Sequence, residues 1–269
     1  MNLVKSEWIK LSSTKGLWIT SILTLIVSIG MAILMGFTAG LSLADSDIQK
    51  NPEALAAIQG LANPENAFAG FITFGLMVIV IQAVMMVTNE YSNGVAKTTL
   101  LGTPRRWPVP LAKLTVYGVV AALLSFVSVV VSVPAMRWAM SWNSDDHALL
   151  GNISLGADGI WKTVGLLTLY GVLCVMISIG VGYLIRNTAG AIAALLLWKL
   201  VVEGLVVTQI PKVKEWLPSY MPFLNMDRAV TGMEVADAPW GSTGSILYFG
   251  LWCVVIFAVG VIILKKRDA

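Results

Sequence analysis

Histidine is almost missing from this chain: His147 stands alone, in a polar stretch. Only two cysteines occur, Cys174 and Cys253, both inside apolar runs, which reads as two packed thiols rather than a disulfide. No Cys/His spacing suits a metal, and no Ser/His/Asp set, paired catalytic carboxylates or HExxH pattern appears. The phosphate-binding pattern GxxxxGK[ST] is absent too, so the chain has no nucleotide loop of its own. Charge is scarce: 12% of residues are Asp, Glu, Lys or Arg, where a soluble domain carries about 25%. These absences argue against an enzyme, a resident cofactor, a nucleic-acid binder and any sizeable soluble domain.

What is present is apolar. Hydrophobic residues make up 57% of the sequence, and the mean hydropathy is +0.80. Six runs are long enough to cross a bilayer as helices of about 20 residues: Leu17–Phe37, Ala67–Thr88, Leu114–Val133, Thr163–Leu184, Ala189–Val207 and Thr243–Leu264. The expectation is an all-α membrane protein with six transmembrane helices, a single transmembrane domain over 1–269. Ser42-Leu43-Ala44 has a cleavage-like pattern, but the run before it exceeds the h-region of a signal peptide, ~7–15 residues, so it reads as an uncleaved span. Gly36 and Gly40 form a lone GxxxG at its end, which allows close helix packing and is weak evidence for dimerisation.

Charge asymmetry orients the spans. Eleven of the eighteen Lys and Arg fall in the N-terminal segment, in 89–113, at Arg186 and at the C-terminus, beside only Glu7, Glu90 and Asp268. The opposite side holds eleven acids. By the positive-inside rule both termini are cytoplasmic. Met1–Lys15, with Val4, Trp8 and Leu11 at helical spacing, reads as an amphipathic interfacial helix. In the first outer loop, Leu41–Asn66, Asn51-Pro52-Glu53 is a helix start. Pro134 and Arg137 bring the third span out, with Trp138 and Trp142 suited to the interface. Arg186-Asn187 marks a tight turn that makes spans four and five a hairpin. Thr208–Ser242, rich in aromatics and proline, reads as a re-entrant or interfacial segment before span six.

Few polar groups lie within the spans. Gln82 reads as an interhelical hydrogen bond in preference to a substrate contact. Lys199 and Glu203, four apart on one helix, can pair. They are either an interfacial pair, with Lys199 reaching outward along its stem, or a polar feature of a translocation path or subunit interface.

The chain turns around Asn89–Lys113, NEYSNGVAKTTLLGTPRRWPVPLAK, which joins spans two and three. Ser92-Asn93-Gly94 is a turn, Val95–Leu101 has room for two turns of helix, and Gly102-Thr103-Pro104 stops it. It is either a solvated basic turn or a docking element. The order Asn89-Glu90-Tyr91, Gly94, Lys97-Thr98-Thr99-Leu100, Pro104-Arg105-Arg106 and Lys113 resembles the ABC-2 family of ABC-transporter permeases. Span count and length extend the likeness over nearly the whole chain, although Gly94-Val95 stands where Gly-Thr is common.

That resemblance implies a permease subunit without its own ATP site. ATP and Mg would be bound by a separate cytoplasmic ABC ATPase, two copies per complex. The implied coupling residues are Glu90, Tyr91, Gly94, Val95, Lys97, Thr98, Thr99, Leu100, Arg105 and Arg106, on a short cytoplasmic coupling helix between spans two and three. Two permease copies, as a homodimer or a related heterodimer, would form the pathway in a bacterial cell membrane, and the substrate would be an exported amphiphile such as a drug, antibiotic peptide or lipid. The competing readings are an ion-coupled secondary transporter using Lys199 and Glu203, and a membrane-embedded enzyme or accessory protein.

Overall fold

The structure, a computed structural model, describes residues 2–95, 107–143, 147–207, 210, 216–232 and 239–266. The described elements are helices, with no strand among them. Six are long and apolar enough to cross a membrane: Lys15–Ala44, Pro64–Ser92, Pro108–Met140, Ile160–Ile185, Thr188–Val206 and Ser242–Lys266. This is the build of a multi-pass membrane protein.

Helix α1, Asn2–Ser12, precedes the first span, α2, Lys15–Ala44. On α1, Val4 and Trp8 are exposed, whereas Leu11 is buried with Glu7. The side that α1 turns inward therefore carries a charge.

Two short helices follow, α3, Ser46–Lys50, and α4, Pro52–Leu61. Asn51 starts α4 as expected: its side chain accepts from the Glu53 and Ala54 amides at 3.1 and 3.3 Å, and Pro52 fills the first helical position. The second span opens as a 3-10 turn, Pro64–Phe68, passes through a π-helical stretch, Phe71–Gly75, and runs on as α5, Leu76–Ser92.

The third span, α6, is longer than its apolar run at both ends, Pro108–Met140. Pro108 and Pro110 sit in its first turn, where amide groups have no intrahelical partner to lose. Pro134, expected to end the span, lies inside it instead. One missing amide bond does not outweigh continued burial of Met136, Ala139 and Met140.

After α7, His147–Asn152, come α8, Ile160–Ile185, and α9, Thr188–Leu196, joined by Arg186 and Asn187 alone. Arg186 takes a left-handed conformation, φ 56°. Asn187 accepts from the Gly190 amide at 2.9 Å and so starts α9. The fifth span then continues as a π-helix, Leu197–Val206. Helix α10, Pro222–Val230, lies before the last span, α11, Ser242–Lys266.

The contacts divide the chain into two compact units. One comprises 21–78 and 123–168. In it Gly36 and Gly40 face the backbone of Met136 and Met140; a Cβ on Gly40 would come within 2.7 Å of the Met140 carbonyl oxygen. The GxxxG is thus used within the chain. Both pairs are offset by the same hundred positions, so α2 and α6 run parallel there. The other unit comprises 1–20, 79–122 and 169–269. In it Gly180 of α8 and Gly260 of α11 let two backbones cross, with a Gly260 Cβ only 2.7 Å from the Gly180 oxygen. Cys174 and Cys253 are buried free thiols of this unit.

Candidate functional site

The polar groups that matter belong to the unit of 1–20, 79–122 and 169–269, in two clusters. The first joins α1, the end of α5 and the start of α6. Lys113 Nζ lies 2.6 Å from Glu7 Oε2 and 2.8 Å from Glu90 Oε1. Lys10 Nζ completes the ring, 2.9 Å from Glu7 Oε1 and 3.2 Å from Glu90 Oε1. Two carboxylates and two ammonium groups alternate, so the cluster is neutral. Lys113 and Glu7 are each 1% exposed. Charges buried to that degree cost several kcal/mol apiece unless paired, and here each meets opposite charge on two sides.

The cluster holds its protons accordingly. Burial pushes the Glu7 carboxyl upward, but the Lys113 ammonium and its hydrogen bond, with Lys10, outweigh it and hold Glu7 below its ordinary value. Burial would lower Lys10, and its bonds to Glu7 and Glu90 instead raise it.

Tyr91, next to Glu90, makes different contacts. Its ring meets Tyr183 edge to face, centroids 6.4 Å apart, and the Arg186 guanidinium carbon sits 4.9 Å from its centre. One turn back, Thr188 Oγ1 donates to Thr88 Oγ1 at 2.8 Å. Successive residues project about 100° apart on a helix. Glu90 therefore ties α5 to α1 and α6, while Tyr91 ties it to the α8–α9 turn. Gly94 follows with φ 70°, and Val95 is exposed. Lys97, Thr98, Thr99, Leu100, Arg105 and Arg106, with the helix expected over Val95–Leu101, lie outside the described residues from 96 onward.

Gln82 makes an interhelical bond, accepting from Thr20 Oγ1 at 3.3 Å.

The second cluster surrounds α10. Lys199 pairs with Asp227, Nζ to Oδ1 3.0 Å, and donates to Tyr170 Oη at 2.8 Å. Tyr170 in turn donates to Asp227 Oδ1 at 2.7 Å. Glu203, 1% exposed, accepts from Trp198 Nε1 and, at 2.7 Å, from the Leu224 amide. The expected pairing of Lys199 with Glu203 is thus replaced by two separate attachments to α10. Each side chain instead finds its partner on another helix, Lys199 at Asp227 and Glu203 at the Leu224 amide. Glu203 caps the first turn of α10, where a carboxylate is favoured, and Lys199 holds the same helix at Asp227.

Asn225 anchors the helix from the other side. Its Nδ2 donates to the Ser219 and Met221 carbonyls at 2.9 and 2.8 Å, and its Oδ1 accepts from Ser245 and Trp240.

Sequence reasoning singled out Glu90, Tyr91, Gln82, Lys199 and Glu203, and missed Lys10, Lys113, Tyr170, Arg186 and Asp227 as their partners, along with Glu7, which closes the charge ring, and Asn225, which anchors α10. The signal for Glu7 was thin: one acid among three lysines of the N-terminal segment. Among the described residues no group of three or more His, Cys, Asp or Glu gathers as a metal site.

No curated protein matches the chain. A family model described as "Protein of unknown function (DUF2705)" matches residues 18–269, taking in five spans whole and nearly all of the first, and the chain belongs to that family.

Proposed function

We propose that this chain is the membrane-spanning permease subunit of an ATP-driven transporter of ABC-2 type, exporting an amphiphilic or hydrophobic compound. Both termini and the 89–113 connection face the cytoplasm, where two copies of a separate ATPase bind. A second permease copy completes the pathway.

The observation that carries this reading is the end of α5. Glu90 and Tyr91, adjacent in sequence, bind different partners: Glu90 the neutral charge ring with Lys113, Tyr91 the α8–α9 turn. A push on the segment that follows Val95 would reach α1 and α6 through one residue and α8 and α9 through the other. That is what a subunit driven from outside the membrane requires. The six spans and the basic 97–113 segment are in keeping with it. The short helix α10, held to the fifth span and to α11, suits a re-entrant element.

The competing reading is an ion-coupled transporter using Lys199 and Glu203. It is less favoured because both side chains are engaged in holding α10.

The test is a pull-down from native membranes in mild detergent, with bound proteins identified by mass spectrometry. A stoichiometric soluble ATPase, lost when 95–101 is replaced by a Gly/Ser loop, is the expected result. A chain that brings down no ATPase under several mild conditions overturns the proposal.

A further inference from the structure

Between α1 and α5, within one unit, lies a cavity of about 330 Å³. Ligand pockets span ~300–1,000 Å³, so this one takes a small ligand or one end of a longer one. It runs from the charge ring toward Gln82, eight residues and about 12 Å back along α5. Leu11, Met85 and Met86 line the stretch between, and Lys10 and Glu90 stand at the charged end.

Three features describe what fits. Gln82 is only 4% exposed and lines the cavity, yet its one hydrogen bond uses Oε1; its amide nitrogen donates to nothing among the described residues. Glu90 engages both lysines through Oε1, leaving Oε2 as a spare acceptor among the described residues, and Lys10 is 39% exposed. Among the described residues the four charges lining the cavity sum to zero, and against these a ligand of net charge would leave an unbalanced charge in a poorly solvated place.

We infer that this cavity binds a zwitterionic amphiphile. Its ammonium group meets Glu90 Oε2 and its acid group Lys10. The stem that joins head to chain lies along Leu11, Met85 and Met86, and its carbonyl or ether oxygen accepts from Gln82. Membrane phospholipids and zwitterionic solutes share this chemistry. Use of the site as an entry point for transport rests on the permease reading, but binding does not. It is measured without an ATPase, so the two proposals fail separately.

The probe is a lysophosphatidylethanolamine with a diazirine in its chain, photolysed with the full-length protein in phosphatidylglycerol nanodiscs and mapped by peptide mass spectrometry. Labelling is expected to concentrate in 82–95. Loss of one hydrogen bond, ~1 kcal/mol, lowers it about fivefold in Gln82→Leu. Lysophosphatidylglycerol and alkyltrimethylammonium probes with the same chain should label this segment no better than the rest of the surface. Thermal unfolding checks the variant, and Met86→Trp, which fills the cavity, serves if Gln82→Leu does not fold. Competition by an unlabelled alkyl sulfobetaine supports the site and shows that it accepts non-lipid zwitterions. Competition by lysophospholipid alone supports it as a lipid site. Labelling without enrichment at 82–95, equal labelling by the charged probes, or unchanged labelling in both variants overturns the inference.

Discussion

Glu7 and Lys113 lie 106 residues apart in sequence and 2.6 Å apart in space, each 1% exposed. This bond fastens α1 to the start of the third span. A buried ion pair is dangerous to break: removing one partner leaves the other charged without solvent, at about 3–5 kcal/mol. Lys113→Met is therefore expected to lower the thermal unfolding midpoint sharply, and Glu7→Gln/Lys113→Met to recover part of the loss. A double variant no more stable than Lys113→Met would mean that the two side chains are not coupled.

Stability should depend on pH through the same ring. Glu7 is depressed in the folded protein, so its contribution is complete above its ordinary value of 4.5 and is lost as pH falls through the lower folded value. Lys10 is raised, so its contribution is complete below 10.5 and is lost as pH rises through the higher folded value. The alkaline effect is the smaller, because Lys10 is well exposed to screening solvent. Unfolding midpoints across pH should show an acid limb that flattens in Glu7→Gln.

Partner choice in the fifth span is testable by double-mutant cycles. Lys199→Met with Asp227→Asn should show a coupling of roughly 1 kcal/mol, as partly exposed pairs do. Lys199→Met with Glu203→Gln should show much less. Equal couplings in the two cycles would restore the pairing that the four-residue spacing suggests.

Gly36→Ala is expected to destabilise by about 1–3 kcal/mol, the range for overpacking, since its Cβ would collide with the Met136 backbone. Because that neighbour belongs to the same chain, oligomeric mass in detergent should stay as in the wild type. A change of mass with unchanged stability would place this glycine at a contact between chains.

Glu90→Ala should leave membrane insertion intact and weaken ATPase docking or transport coupling. Wild-type transport by this variant would remove Glu90 from the coupling role proposed for it.

Much of the fold was readable because it is local. The start of α4 at Asn51 needs one side chain and two amides close by in sequence, and the Arg186-Asn187 turn needs two residues between two apolar runs. Pro134 misled because a proline's local cost was weighed without the packing that follows it at Met136 and Met140. Lys199 and Glu203 misled because their spacing offers only each other as partners, whereas Asp227 and the Leu224 amide reach them from another helix. Glu90 and Tyr91 stood out, but nothing in their neighbourhood announced Lys10 or Arg186 as partners.

The apolar runs by themselves determined six membrane-length helices, since burying a continuous apolar segment in lipid depends on that segment's own length and side chains. The tertiary structure alone decided which charges meet. Ion pairs act over a few ångströms, and only packing brought Lys113 to Glu7 and Lys199 to Asp227.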